Sequence, residues 1–181
     1  MISIHIDATE VYDTEKEEFV SIKEQDLLLE HSLISVSKWE SKWHKPFLEN
    51  NDKTTEEVID YLRCMTITQN VPDHTYYCLT KENMDEIGTY IEDKHTATWF
   101  TDNTNRPTSE IVTSELIYYW MTAFNIPFEC QKWHLNRLLT LVKICSIKND
   151  PKGNRKMSRS AVMKQNSALN KARRAKSGSK G

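Results

Sequence analysis

Ser37-Lys38-Trp39-Glu40-Ser41-Lys42-Trp43-His44 writes one four-residue unit twice. Four residues is close to one α-helical turn, so Trp39 and Trp43 fall on a single stripe with Val36. Pro46 lacks the amide the next turn needs and disfavours helix just before it, which ends this helix near Lys45. The chain reads differently on the two sides of this segment. Before it, Ile2-Ser3-Ile4-His5-Ile6 alternates with period two, Phe19-Val20-Ser21-Ile22 does so more loosely, and Asp26 to His31 offers a third short strand. The acidic residues from Asp13 to Glu18 read as a connection between strands. A hairpin or small sheet is expected there.

After the repeat, helical signals dominate. Thr54-Thr55-Glu56-Glu57 is a capping box, and the helix it opens carries Val58, Ile59, Leu62 and Met65 to about Thr66. Thr80 caps a second helix with Met84, Ile87 and Ile91 on its face. Asp93 to Thr108 is polar, contains Pro107 and reads as a loop, with a short strand expected at Ala97 to Phe100. Helical spacing returns at Ile111, Glu115 to Trp120 and Phe124. Pro127 then suits a first helical position, with Glu129 in the favourable first turn. The helix expected to follow is the longest, places Phe128, Leu135, Leu138, Leu139, Val142 and Cys145 at three- and four-residue steps, and is expected at the centre of the body. The fold class is therefore α+β and helix-dominated. Residues 1–150 form an acidic globular domain, β-rich over 1–31 and mainly helical over 32–150, ahead of a basic flexible or helical tail at 151–181.

Charge sets that boundary. The 181 residues carry 24 Lys and Arg against 26 Asp and Glu, but Pro151 to Gly181 holds ten of the basic residues and none of the acids. The nominal −2 is thus the sum of a −12 body and a +10 arm. Asn149 to Asn154, with Pro151 and Gly153, marks the junction. The arm has three readings: nucleic-acid phosphates, an acidic protein surface, or the chain's own body. A body of −12 repels nucleic acid, so a protein partner is favoured over nucleic acid as the main one.

Several chemistries are excluded or weak. Gly88 is the only glycine before the tail, so the Gly-rich phosphate loop, the dinucleotide fingerprint and the nucleophile elbow are all missing. The N-terminus lacks the basic and apolar regions of a signal peptide, and Leu135 to Ile147 is broken by Asn136, Arg137 and Lys143. These features, with Cys64, Cys78, Cys130 and Cys145 in no dense spacing, lead to the expectation of a soluble intracellular protein with reduced thiols. Cys130-x-x-x-His134 and His74-x-x-x-Cys78 are a notional zinc set, outweighed by core cysteines and by histidines at the surface or bonded to backbone, so no metal is expected. Asp73, Glu92 and Lys94 carry the letters of a magnesium-dependent nuclease, but Glu92 and Lys94 close a helical pattern where that site needs a strand. His44 has no nucleophile beside it. No catalytic residue and no cofactor is assigned. The Trp39/Trp43 stripe fits a core more readily than a stacking platform or protein anchor, and is carried as a partner-binding candidate with Arg173, Arg174 and Lys176 of the arm.

Ser37 to Leu48 (SKWESKWHKPFL), Arg63 to Asn70 (RCMTITQN) and Ile126 to Asn149 (IPFECQKWHLNRLLTLVKICSIKN) carry a resemblance to a known family. Together with Ser158-Arg159 and Asn170 to Arg174 in the arm, they resemble a family of small proteins encoded in the tail-gene clusters of long-tailed bacteriophages and prophages of Gram-positive bacteria. The resemblance spans nearly the whole chain. It implies a non-enzymatic tail assembly chaperone in the host cell cytoplasm. Its partners would be the tape-measure protein and, secondarily, the tail tube protein, with no membrane role and homo-oligomerisation left open. Alternatives are a tail-completion or connector component of the virion, or a nucleic-acid-binding module using the basic arm. An enzyme of the nuclease type ranks below these.

Overall fold

In the computed structural model, the residues described are 1–13, 17–49, 52–98, 100, 111–149, 163 and 167. The chain divides into two compact units, Met1–Ile144 and Cys145–Gly181. The first begins with four strands. β1 (Ile2–Ile6) pairs antiparallel with β4 (Gln25–Leu29), and β2 (Thr9–Asp13) pairs antiparallel with β3 (Glu18–Ile22). One register runs through both ladders, from Ile2 opposite Leu29 to Asp13 opposite Glu18, so they are the root and tip of a single long hairpin.

The face turned inward changes between them. At the root Ile4 and Ile6 are buried with Leu27 and Leu29, whereas at the tip Ile22 is buried and the facing pair Tyr12 and Phe19 are 48% and 70% exposed. A ladder of strict period two would have put Tyr12 on the face of Ile4. The break at residues 7–8 and 23–24 turns the tip over, and its strands meet the 3-10 helix Asp73–Cys78. The connection was expected at Asp13 to Glu18 and no strand was expected over residues 9–12; β2 forms there because Thr9, Val11 and Tyr12 find a partner in β3. Residues 65–67 lie antiparallel along the other side of β4, with Ile67 N–H donating to the Leu28 carbonyl at 2.8 Å and Glu30 N–H to that of Met65 at 2.9 Å.

Five α-helices follow among the described residues: α1 (Leu33–Trp43), α2 (Thr55–Met65), α3 (Lys81–Glu92), α4 (Ser114–Ala123) and α5 (Leu135–Asn149). The Thr54/Glu57 capping box forms as expected, with amide-to-side-chain distances of 3.3 and 2.8 Å. Thr80 caps α3 in the same reciprocal way with Asn83. α1 stops at His44, which takes a left-handed conformation (φ 53°) and donates its N–H to the Glu40 carbonyl, so the helix ends just ahead of Lys45 and Pro46.

Three expectations need correction. The helix expected from Pro127 onward is two pieces, a 3-10 helix at Phe128–Lys132 and α5, separated by extended Trp133. The chain is pulled straight there because Leu135 N–H donates to the His31 carbonyl at 2.8 Å and His134 bridges to Ser32. Phe128 is consequently 54% exposed. Nor is α5 central, since only its Leu135, Leu138 and Val142 are buried. That place belongs to α1, which packs against α2, α4 and the 3-10 helix Phe128–Lys132. Finally, Ala97, Thr98 and Phe100 form no strand, and Trp99 and residues 101–108 of the expected loop lie outside the described residues. Of the second unit, the last turn of α5 and the helical Met163 and Ser167 are described. Among the described residues no helix is long and apolar enough to cross a membrane.

Candidate functional site

The Ser-Lys-Trp repeat works inward. Trp39 is 1% exposed, and its indole N–H donates to the Glu57 carbonyl at 2.8 Å. Half-buried Trp43 stacks on it with centroids 6.2 Å apart and donates to Asp60 Oδ2 at 2.9 Å. Lys42 pairs with Asp60 and Lys45 with Glu57, so both halves of the repeat clasp the first turns of α2. Glu57 is held below the usual carboxylate range, first by its hydrogen bond with Lys45 and next by the Thr54 amide. For Asp60, burial pushes upward, but the bonds from Lys42 and Trp43 outweigh it and the net shift is down. Trp39 therefore leaves the set of partner-binding candidates, because its ring and its N–H are both consumed inside the fold. Arg173, Arg174 and Lys176 lie outside the described residues.

Glu40, on the same helix, is 7% exposed. Its two carboxylate oxygens accept the Phe47 amide at 2.8 Å and the Ser114 amide at 2.7 Å, tying α1 to the chain after it and to the start of α4.

The remaining chemical letters do not converge. Cys130 is buried and burial raises its pKa, and the Cys78 thiol donates to the His74 carbonyl at 3.4 Å. His134 Nε2 lies 3.1 Å from the Tyr90 carbonyl. Among the described residues no group of three His, Cys, Asp or Glu could hold a metal ion. Asp73 pairs with Arg63 at 3.4 Å, Glu92 ends α3, and Lys94 follows in irregular chain, so the nuclease letters lack their strand. His44 is the left-handed cap of α1.

The structure does assemble a cluster that sequence spacing gave no hint of. His31, His95 and His134 come from three distant segments, with ring centroids 5.0 Å apart for His31 and His134 and 4.1 Å for His95 and His134. His31 Nδ1 is hydrogen-bonded to the buried Tyr61 hydroxyl. His134 must carry its proton on Nε2 to bond the Tyr90 carbonyl, which leaves Nδ1 buried without a hydrogen-bond partner among the described residues. Burial, then repulsion from His134 and His95, holds the His31 pKa down at about 3, and burial lowers that of His134 as well.

A depressed histidine is neutral in the fold, while in the unfolded chain it protonates near 6.5. Below that pH the unfolded state binds the extra proton, so stability falls with acid from about 6.5 down to about 3, at up to about 1.4 kcal/mol per pH unit for His31. Exposed His5 shifts the other way through its hydrogen bond with Asp26, and solvent screening keeps that contribution minor. The expected result is a melting temperature that drops steadily between pH 7 and pH 5, with a shallower drop in His31→Gln. A flat profile over that interval would contradict the buried neutral cluster.

An open, mainly apolar cleft of about 420 Å³ lies where the N-terminal half of α1 meets the exit from α2. Ile34, Cys64, Met65 and Ile67 supply apolar lining, and Lys38 and Lys132 stand at it as cations. Glu30 also lines the cleft, but it accepts the Tyr90 hydroxyl at 2.6 Å and pairs with the Met1 ammonium at 2.9 Å. Its residues come from the α1 start, residues 64–67 and the 3-10 helix before α5, so no local motif could have announced it. A second exposed feature, the edge-to-face pair Tyr12 and Phe19, sits on the hairpin tip. Compared with protein-family models, curated proteins and solved structures, the chain gives no match.

Proposed function

We propose that this chain is a non-enzymatic assembly protein of long-tailed phage tails, a chaperone that holds a helical segment of the tape-measure protein while the tail tube is built. The observation that carries a binding role is the apolar cleft beside α1, which is open and shaped by well-capped helices. Amphipathic helices are recognised by laying an apolar face into such a groove, their anchors spaced at helical intervals. The phage context comes from the resemblance of the 37–48, 63–70 and 126–149 blocks. Much of the first block has a structural task here, since Trp39, Glu40, Lys42, Trp43 and Lys45 all join α1 to its neighbours. A family built on one scaffold needs that join, whatever its members bind.

Co-expression of this chain with a tape-measure protein of a long-tailed phage is the test. The tape-measure protein is expected in the soluble fraction as a complex with this chain, and in the pellet without it. A tape-measure protein that is insoluble in both cases, or soluble in both with no complex recovered, would refute the function.

A further inference from the structure

Charge at the cleft narrows what it accepts. Most of the lysines around α1 are neutralised: Lys42 pairs with Asp60 and Lys45 with Glu57. Lys38 and Lys132 are exposed and have no ion-pair partner among the described residues. In a body of net −12 these two cations line the same apolar cleft, while its one carboxylate, Glu30, is already engaged through both oxygens. Spacing narrows it further. Ile34 and Lys38 are four residues apart on α1, so the apolar wall and the first cation are one helical turn, about 6 Å, apart. A helix lying along α1 matches that spacing with an apolar residue and a carboxylate four positions apart.

We infer that the cleft binds an acidic amphipathic helix, an apolar side chain entering between Ile34 and Ile67 and an Asp or Glu one turn along meeting Lys38 and Lys132. The assignment rests on the helix-binding function proposed above and specifies its partner. Opposite charges select partner and register here, and a like-charged helix is excluded by repulsion from the lysine pair. Cys64, half-buried in the lining, reports occupancy directly, because a seated side chain shields its thiol.

The test uses the full chain and two fluorescein-labelled, stapled helical peptides built on alanine. One carries Leu and Glu four positions apart; its twin has Lys for every Glu. The Glu peptide is expected to bind at least about tenfold tighter than the Lys twin. It should also slow alkylation of Cys64, read by mass spectrometry of the peptide that contains it. Lys38→Glu with Lys132→Glu, both at exposed positions, should weaken the Glu peptide by about tenfold or more and reverse the preference, with the melting temperature unchanged. Equal binding of the two peptides, or unchanged Glu-peptide binding by the double variant, would overturn the assignment. The double variant also separates this assignment from the proposed function. If it keeps tape-measure protein soluble as well as the wild type does, the cleft is not the site and the assembly function stands. If the wild type itself fails to do so, the assembly function falls and the peptide result alone decides the cleft.

Discussion

Replacing Glu40 with Ala is expected to destabilise the fold by about 2–5 kcal/mol, from two backbone amides losing their acceptor at once. Those amides belong to Phe47 and to Ser114, the first residue of α4, and neither has another acceptor among the described residues. Glu40→Gln sharpens the test because it keeps the shape. Its amide oxygen can serve one N–H, but its NH₂ group then faces the other, so a loss of about 1–3 kcal/mol is expected from that orphaned donor. Urea denaturation reads both, as a lower midpoint at unchanged slope. Wild-type midpoints in both variants would mean that the carboxylate does not hold α1 to α4.

Trp39→Ala is expected to cost about 3–5 kcal/mol, the range for removing a large buried aromatic. The wild-type side chain is 1% exposed, stacks with Trp43, meets Phe47 edge-on at 5.2 Å and donates to the Glu57 carbonyl. A domain of ordinary stability, about 5–15 kcal/mol, would be left marginal. Trp39→Phe isolates the lost indole hydrogen bond and should cost less. Trp43→Ala, at a half-buried position, should fall well short of Trp39→Ala. Equal losses at the two tryptophans would contradict the division into one core ring and one partly exposed ring.

That division marks what the residues could reveal by themselves. Their four-residue spacing places Trp39 and Trp43 on one stripe, but a stripe has a centre and an edge, and only the packing of α2 decides which ring lies where. Thr54 and Glu57 were legible because a capping box is closed within four residues. β1 was legible from alternation that matches its burial, whereas β4 showed only as a short apolar run, Leu27-Leu28-Leu29, within the strand expected at Asp26 to His31. β2 was missed because acidic Glu10 and Asp13 flank its short apolar run, and what fixes it is pairing with β3. The break at Trp133 was missed for a similar reason. Three- and four-residue steps fit a 3-10 turn followed by an α-helix as well as one long helix, and the bond from Leu135 to His31 lies about a hundred residues away in sequence. Glu40 looks like a solvated helix charge until α4 arrives over it, and the histidine cluster and the cleft exist only after distant segments meet.

The division also separates scaffold from surface. The repeat that drew attention in the sequence builds the α1–α2 joint, and Lys38, which belongs to the same repeat, is the member left facing the cleft. A binding role therefore falls on α1's N-terminal half, beside residues 64–67, more than on the tryptophans.

The measurement that bears most directly on the assembly function is the partition of tape-measure protein between soluble and pelleted fractions when it is expressed with this chain. The function predicts recovery of most of it as a soluble complex with wild type, and with Trp43→Phe, which leaves the cleft untouched. Tape-measure protein that pellets equally with and without the wild-type chain, while that chain itself stays folded and soluble, would contradict it.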